Sequence, residues 1–364
     1  HYICTLNKTV KSKNMKRTVT IIGSGMMGSA LAYPAFENGN EVRLVGTPLD
    51  REIIGECRRS NKHPKFDIAF PEGIKYYQFE EWREAVEGAD FVIGGVSSFG
   101  VDWFLEEVLA HLDPKMPVLS VTKGLINLPD GTLISYPAYW QTELQKKGIE
   151  REVCAIGGPC TSYELVYPDQ TEVAFCGKDT ATLKMMKETM TTSYYHISLT
   201  NDVIGLESAV ALKNAYALGV AMTIGLVNRE NGENAGLHYN SQAGAFYQAT
   251  KEMSRLLKIQ GASEDSTYIG IGDLYVTVYG GRTRKIGILL GEGKSYDEAM
   301  QMLSGVTLES LVVARRVAKA IYRKAELGEV DLRDFPMLVH VENILEHGAD
   351  AEHPWEAYTF ENLG

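Results

Sequence analysis

The stretch whose reading decides the fold is VTIIGSGMMGSALAYPAFENGNEVRLVG, residues 19–46. An apolar run leads into Gly23, Gly25 and Gly28, a helical stretch follows, and a second apolar run closes the segment. Glycine loses more freedom on folding than any other residue, so three in one short loop need a reason. A strand, then G-x-G-x-x-G, then a helix and a second strand supply it. Gly23 makes the tight turn, Gly25 lets backbone approach a pyrophosphate, and Gly28 lets the helix pack close to the strand. The helix start offers free N–H groups and a positive dipole end to phosphate. Gly39 stops the helix before the second strand, and Pro34 is expected to kink it.

Outward from this unit, short β-branched runs at 18–22, 41–45, 74–79, 91–96, 118–122, 153–156, 173–176 and 196–199 read as strands. Helical patterns fall between several of them, DWFLEEVLAHL (102–112) among them. The alternation predicts an α/β domain of the Rossmann type, doubly wound around a mostly parallel sheet. After Asn201 the character changes. DVIGLESAVALKNAYALGVAMTIGLV (202–227) is too long for a strand and reads as a helix buried on most sides. The helical theme then continues, so an all-α C-terminal domain is expected. The predicted division is 15–200 for the dinucleotide domain and 201–364 for a helical substrate-binding domain, with residues 1–14 an extension outside the fold.

The 364 residues carry a net charge of −11, which argues against a nucleic-acid partner, since such proteins present a basic face. A local cluster can still oppose that sign and hold an anionic small molecule. No uninterrupted apolar run of a membrane-span's length is present. The five cysteines are scattered without metal-ligand spacing, so reduced thiols and a cytoplasmic setting are expected, and no metal.

Several polar residues stand where chemistry would use them. Lys213 and Asn214 interrupt the long apolar helix. A buried ammonium is costly, its pKa falls on desolvation, and it can then work as a general acid/base; the alternative is a lysine snorkelling to water. Lys123 falls at the C-terminal end of a predicted strand, where open parallel sheets place their ligands. In GDLYVTVYGGRTRKIG (272–287), Asp273 and Thr277 share a face if the segment is helical, and Arg282 and Arg284 flank a turn suited to phosphate or carboxylate. Each of these alone also fits an ordinary surface charge. At the end of the second strand, the acid that would take a ribose 2′-hydroxyl is missing. Asp50 comes late, while Thr47 and Arg51 suit a 2′-phosphate, so NAD(P) is expected with NADP slightly favoured.

As an ordered series these residues resemble the NAD(P)-dependent glycerol-3-phosphate dehydrogenase family. The resemblance rests on Gly23-Ser24-Gly25-Met26-Met27-Gly28, Lys123-Gly124, Gly158-Pro159, Leu212-Lys213-Asn214, Gly272-Asp273-Leu274 with Thr277 and Arg282, and Leu308-Glu309-Ser310. It implies that Lys213 transfers the proton, with Lys123, Asp273 and Thr277 around the reacting carbonyl. Asn214, Arg282, Thr283 and Lys123 are the implied substrate contacts. For the cofactor, Ser97, Phe99, Lys123, Arg282 and Glu309 join the glycine loop, Thr47 and Arg51. A phosphorylated substrate held between two domains and a homodimer are also implied. Thr283 stands where the family has asparagine, Ser310 replaces a glycine, and Cys160 sits in the Gly-Pro loop, where a small filler is the preferred reading over a nucleophile. Thr283 leaves open a related dehydrogenase acting on another small hydroxy acid or polyol phosphate.

Overall fold

Ten strands organise the described residues up to Thr200: β1 (Thr18–Ile22), β2 (Glu41–Val45), β3 (Lys75–Tyr77), β4 (Phe91–Gly94), β5 (Val118–Ser120), β6 (Leu125–Asn127), β7 (Leu133–Ser135), β8 (Val153–Gly157), β9 (Thr171–Cys176) and β10 (Tyr195–Thr200). The computed structural model describes residues 15–232, 238–304, 308–361 and 363, so the expected extension at 1–14 lies outside the described residues. Eight strands form one sheet in the order β10-β9-β8-β5-β4-β1-β2-β3, parallel except where β8 meets β9. Every residue of β4 and β8 is buried, as strands covered on both faces require. Side chains alternate between two cores: Ile21 and Ile93 enter one with Leu31, and Ile22 and Val92 enter the other with Phe104 and Trp140.

The chain leaves β1 toward β2 and β3 on one side and returns through β4 to β5 on the other. The switch point between β1 and β4 is therefore where ligands bind in such sheets. α1 (Met26–Glu37) follows β1 and runs three residues past Pro34. The segment expected as one regular helix after Asp102 widens in its second half, where Ala110 N–H bonds the carbonyl of Leu105, five residues back, at 3.0 Å. β6 and β7, a hairpin outside the main sheet, had no counterpart among the expected strands.

Beyond Thr200 the described residues are helical. α2 (Val203–Asn231) is the axis of this lobe. By length and composition it would suffice to cross a membrane, but 89% of its apolar window is buried by the rest of the chain. Around it pack α3 (Tyr239–Ile259), α4 (Glu264–Tyr279), α5 (Gly281–Gly291), α6 (Glu309–Glu326) and α7 (Pro336–His347). Small residues permit the close approach. A Cβ on Gly270 of α4 would stand 2.6 Å from the Cβ of Ala209, and one on Gly287 of α5 would stand 2.6 Å from that of Ala221. At its start, α2 docks on the sheet through Leu206 and Val210, which pack with Ala155, Ala174 and Cys176.

Among the described residues of this lobe three acids are buried, Glu207, Glu252 and Asp273. Glu252 accepts N–H bonds from Met337 at 2.7 Å and Leu338 at 3.0 Å, capping α7 in place of a local side chain. Glu207 is bonded by the Ser135 hydroxyl and leaves its Oε1 without a partner. Burial raises its pKa from 4.5 to about 8. The folded chain thus keeps this proton where the unfolded chain has lost it, so stability declines as pH rises from about 4.5 to 8. The effect is on the order of 4 kcal/mol for this group. Glu207→Gln is expected to make the fall in thermal stability between pH 5 and pH 8 shallower, and an unchanged slope in denaturation scans would contradict the assignment.

Candidate active site

The glycine loop shows which of its glycines the protein needs for itself. Gly23 has φ +113°, and a Cβ there would lie 2.6 Å from the backbone of Gly95. A Cβ on Gly28 would overlap the carbonyl oxygen of Gly23. Gly25 is different: its φ of −66° suits any residue, and its Cβ would meet nothing nearer than Gly95 O at 4.0 Å. Packing explains two glycines, and the third faces open space at the start of α1, where no side chain caps the helix. That cradle fits a dinucleotide pyrophosphate, with the N–H groups of Met26 and Met27 in the first turn. Gly95 belongs to the same device, since its Cβ would stand 2.8 Å from Gly23 O. The Gly-Gly pair after β4 was a readable signal for it.

At the end of the second strand, Asp50 has a structural part that its position in the sequence did not announce. Its Oδ2 accepts the N–H of Ser24 at 3.2 Å, the N–H of Thr47 at 2.9 Å and the Thr47 hydroxyl at 2.8 Å. The Thr47 proton is thereby spent within the protein, and Arg51 pairs at the surface with Glu80. His63, another residue the sequence did not flag, holds the Ser24 carbonyl through Nε2 at 3.1 Å. Its Nδ1 accepts Lys65 N–H at 3.1 Å, which assigns the proton to Nε2. The loop is clamped from both sides. After β4, Ser97 and Phe99 flank Ser98, whose N–H and hydroxyl donate to Glu309 Oε1 at 3.3 and 3.1 Å. Glu309 opens α6, so this contact ties the two lobes together.

The charged centre lies between the lobes. Asp273 is fully buried and accepts Lys123 Nζ on Oδ2 at 2.7 Å and Lys213 Nζ on Oδ1. Three sequence-predicted residues from three distant segments thus share one carboxylate. The geometry comes from packing one turn away. Gly270 lies three residues before Asp273 and Ala209 four before Lys213, and their contact brings the two helices close enough for the pair. Val210, seated on the sheet, is three residues before Lys213 and aims it at the strand ends. Burial lowers the Lys213 pKa from 10.5 to about 8; Asp273 opposes the fall and Lys123 adds to it.

This centre opens into a cavity of about 590 Å³ lined by Cys160, Asn214, Thr277, Arg282, Thr283 and Glu309. Thr277 shares the face as expected, and its hydroxyl donates to the backbone oxygen of Asp273 at 2.7 Å. Arg282 is exposed at the rim, and Thr283 is 8% exposed. Arg284 turns back to donate to Val278 O at 3.0 Å. α5 begins at this wall behind Gly280, without a side-chain cap. Burial pushes the Cys160 thiol up to about 12, so it is held as a thiol and not as a nucleophilic thiolate. Among the described residues no group of three His, Cys, Asp or Glu is placed to hold a metal.

Comparison with known proteins gives the family of the chain. Residues 18–183 match the N-terminus of NAD-dependent glycerol-3-phosphate dehydrogenase and residues 202–356 match its C-terminus. The NADP(+)-dependent glycerol-3-phosphate dehydrogenase of Archaeoglobus fulgidus is 32% identical over 92% of this chain and 96% of its own length. The glycerol-3-phosphate dehydrogenase [NAD(P)+] of Enterococcus faecalis is 28% identical over 93% and 94%. The crystal structure of glycerol-3-phosphate dehydrogenase from Coxiella burnetii shares the fold with a TM-score of 0.74 at 22% identity, covering 94% of this chain and 98% of that one.

The glycine argument is open to a direct check. Gly25→Ala is expected to keep the wild-type melting temperature while weakening dinucleotide binding about tenfold or more, because the new methyl fills the cradle. Gly28→Ala should destabilise the fold itself, since its methyl meets backbone. Fluorescence titration with NADH and NADPH, beside thermal melts, separates the two effects.

Proposed function

The chain belongs to the NAD-dependent glycerol-3-phosphate dehydrogenase family and is an oxidoreductase, and from that premise we propose that it interconverts sn-glycerol 3-phosphate and dihydroxyacetone phosphate. The observation that carries this reading is the Asp273 carboxylate shared by Lys123 and Lys213 at the edge of the cavity. A bound nicotinamide supplies one hydride to the carbonyl carbon in reduction and takes it back in oxidation.

The chain's residues manage the accompanying proton. In reduction the carbonyl oxygen becomes an alkoxide, and the Lys213 ammonium donates the proton that turns it into a hydroxyl. Lys123 offers its remaining N–H donors to the same developing charge. Asp273 keeps both amines in register. It also offsets part of the cost of burying Lys213, since a buried charge needs a partner. Asn214, Arg282 and Thr283, with the first N–H groups of α5, are the groups proposed to hold the substrate phosphate. Thr283 supplies one hydroxyl where the family's asparagine supplies an amide, and its neighbouring helix start makes up donors. Met26, Met27, Ser97, Phe99 and Glu309 are proposed as further cofactor contacts. NADP is the proposed preference, with the 2′-phosphate competing with Glu80 for Arg51; the Archaeoglobus relative named as NADP(+)-dependent supports it. A homodimer and a cytoplasmic setting complete the reading.

The Lys213 pKa gives the sign of the pH dependence. Reduction needs the ammonium, so kcat for dihydroxyacetone phosphate should fall as pH rises through about 8. Oxidation needs the free amine, so kcat for glycerol 3-phosphate should rise through the same region. Lys213→Met is expected to lower kcat about 10²- to 10⁴-fold in both directions and leave cofactor affinity nearly unchanged. Steady-state assays following reduced nicotinamide from pH 6 to 10 test this. Near-normal turnover by the variant would overturn the assignment.

A further inference from the structure

Lys123 is gripped from both sides along the chain. Upstream, the Thr122 hydroxyl donates to Val96 O at 2.8 Å, tying the ends of β5 and β4 together. Downstream, Gly124 lies directly beneath the ring of Tyr136, where any Cβ would overlap the ring carbons. Tyr136 is 3% exposed, and its hydroxyl accepts Arg316 Nη1 at 3.0 Å. The same Nη1 donates to the carbonyl of Leu125 at 2.9 Å. Arg316 is half-buried on α6, seven residues after Glu309, and therefore on the same helix face. A half-buried guanidinium is costly unless its donors are used. Here both donations go to the chain beside Lys123: one to Leu125, two residues past it, and one to Tyr136, which covers Gly124. The carboxylate that receives Lys123 and the guanidinium that clamps the chain beside it both come from the helical lobe.

We propose that Arg316, acting through Tyr136, is a positioning residue that sets Lys123 against Asp273. It couples the placement of that lysine to the docking of α6 on the sheet lobe. The inference rests on the catalytic reading of Lys123 given above. Without the clamp the hairpin that begins at Leu125 is free to shift, and Lys123 loses its alignment while Lys213 and Asp273 keep theirs. A misplacement of about 1 Å at a reacting group costs as much as 10²-fold in rate.

The test compares Arg316→Met, Arg316→Lys, Tyr136→Phe and the double variant Arg316→Met/Tyr136→Phe in the full chain. Tyr136→Phe removes only a hydroxyl and serves if Arg316→Met fails to fold. Two readouts are taken: kcat and KM for dihydroxyacetone phosphate and the cofactor, and the rate at which Lys123 is acetylated in the cofactor-free protein, followed by peptide mass spectrometry. Arg316→Met should lower kcat about tenfold to a hundredfold with little change in cofactor KM. It should also speed Lys123 acetylation about threefold or more, because opening the clamp frees a side chain now only 20% accessible. The double variant should fall no further than the single, and Arg316→Lys should recover part of the loss. Wild-type kcat and labelling in Arg316→Met would overturn the proposal, as would a kcat loss with unchanged labelling and additive mutations. If the wild-type protein turned over no glycerol phosphate, the functional reading would fail while the labelling arm still decided the clamp.

Discussion

The structure depends on one buried carboxylate. Asp273 has no exposed surface and takes an ammonium on each oxygen, one from the sheet lobe and one from the long central helix. Ion pairs taken out of water repay their desolvation only when the geometry is good, and breaking one partner leaves an uncompensated charge costing about 3–5 kcal/mol. The geometry here is bought by small residues: Gly270 against Ala209 sets the helix separation one turn before the pair forms. A larger residue at 270 would push α4 outward and strand the lysine. The centre holds two amines and one acid, an excess of positive charge facing a cavity. That is the environment in which a developing alkoxide is stabilised and in which a lysine pKa falls toward neutrality.

Much of the first lobe was legible in the chain, and the reasons are physical. The eight main-sheet strands showed as apolar or β-branched runs; β4, β5 and β8 are buried throughout and carry few polar residues, while the edge strands β3 and β10 are partly exposed. The glycine loop showed because its spacing answers to turn, approach and packing at once. The one antiparallel step, β8 to β9, did not show. Between Gly157 and Thr171 the chain forms only the four-residue helix Ser162–Leu165, too short to carry it back along the sheet for a parallel return. The hairpin LINLPDGTLIS (125–135) was readable and missed: Pro-Asp-Gly between two apolar runs is a turn with a mechanism. It was passed over because its strands are three residues each and lie outside the sheet.

The site was legible only in part. Lys123, Lys213 and Asp273 are separated by 60 to 150 residues yet meet, and each carried its own signal in the chain: a strand end for Lys123, apolar surroundings for Lys213 and the helical spacing to Thr277 for Asp273. The turn of Asp50 back onto the glycine loop, the bond from Ser98 to Glu309 across 211 positions and the clamp of Arg316 on Tyr136 across 180 carry no such mark. They join ordinary polar residues whose meaning comes from tertiary proximity. Thr277 shows the converse. Its spacing from Asp273 was legible and it lines the cavity, but the bond of its hydroxyl to the carbonyl four residues back is a local habit of threonine in helices that the spacing does not announce.

A chain of net charge −11 with the anionic substrate proposed for it poses an electrostatic question. Screening answers it. At physiological salt the field of exposed charges decays over about 8 Å, so an approaching phosphate feels the groups near the cavity mouth and little of the distant surface. Among those near groups, Arg282 at the rim, Lys213 at the wall and the uncapped start of α5 favour an anion, set against the carboxylates of Glu164 and Glu309 in the same lining. All three act inward, where solvent thins and each interaction grows as the local dielectric falls. Capture therefore depends on short-range contacts made once the substrate is inside, and not on long-range steering. The acidic exterior is then free to keep the protein soluble without opposing the chemistry within.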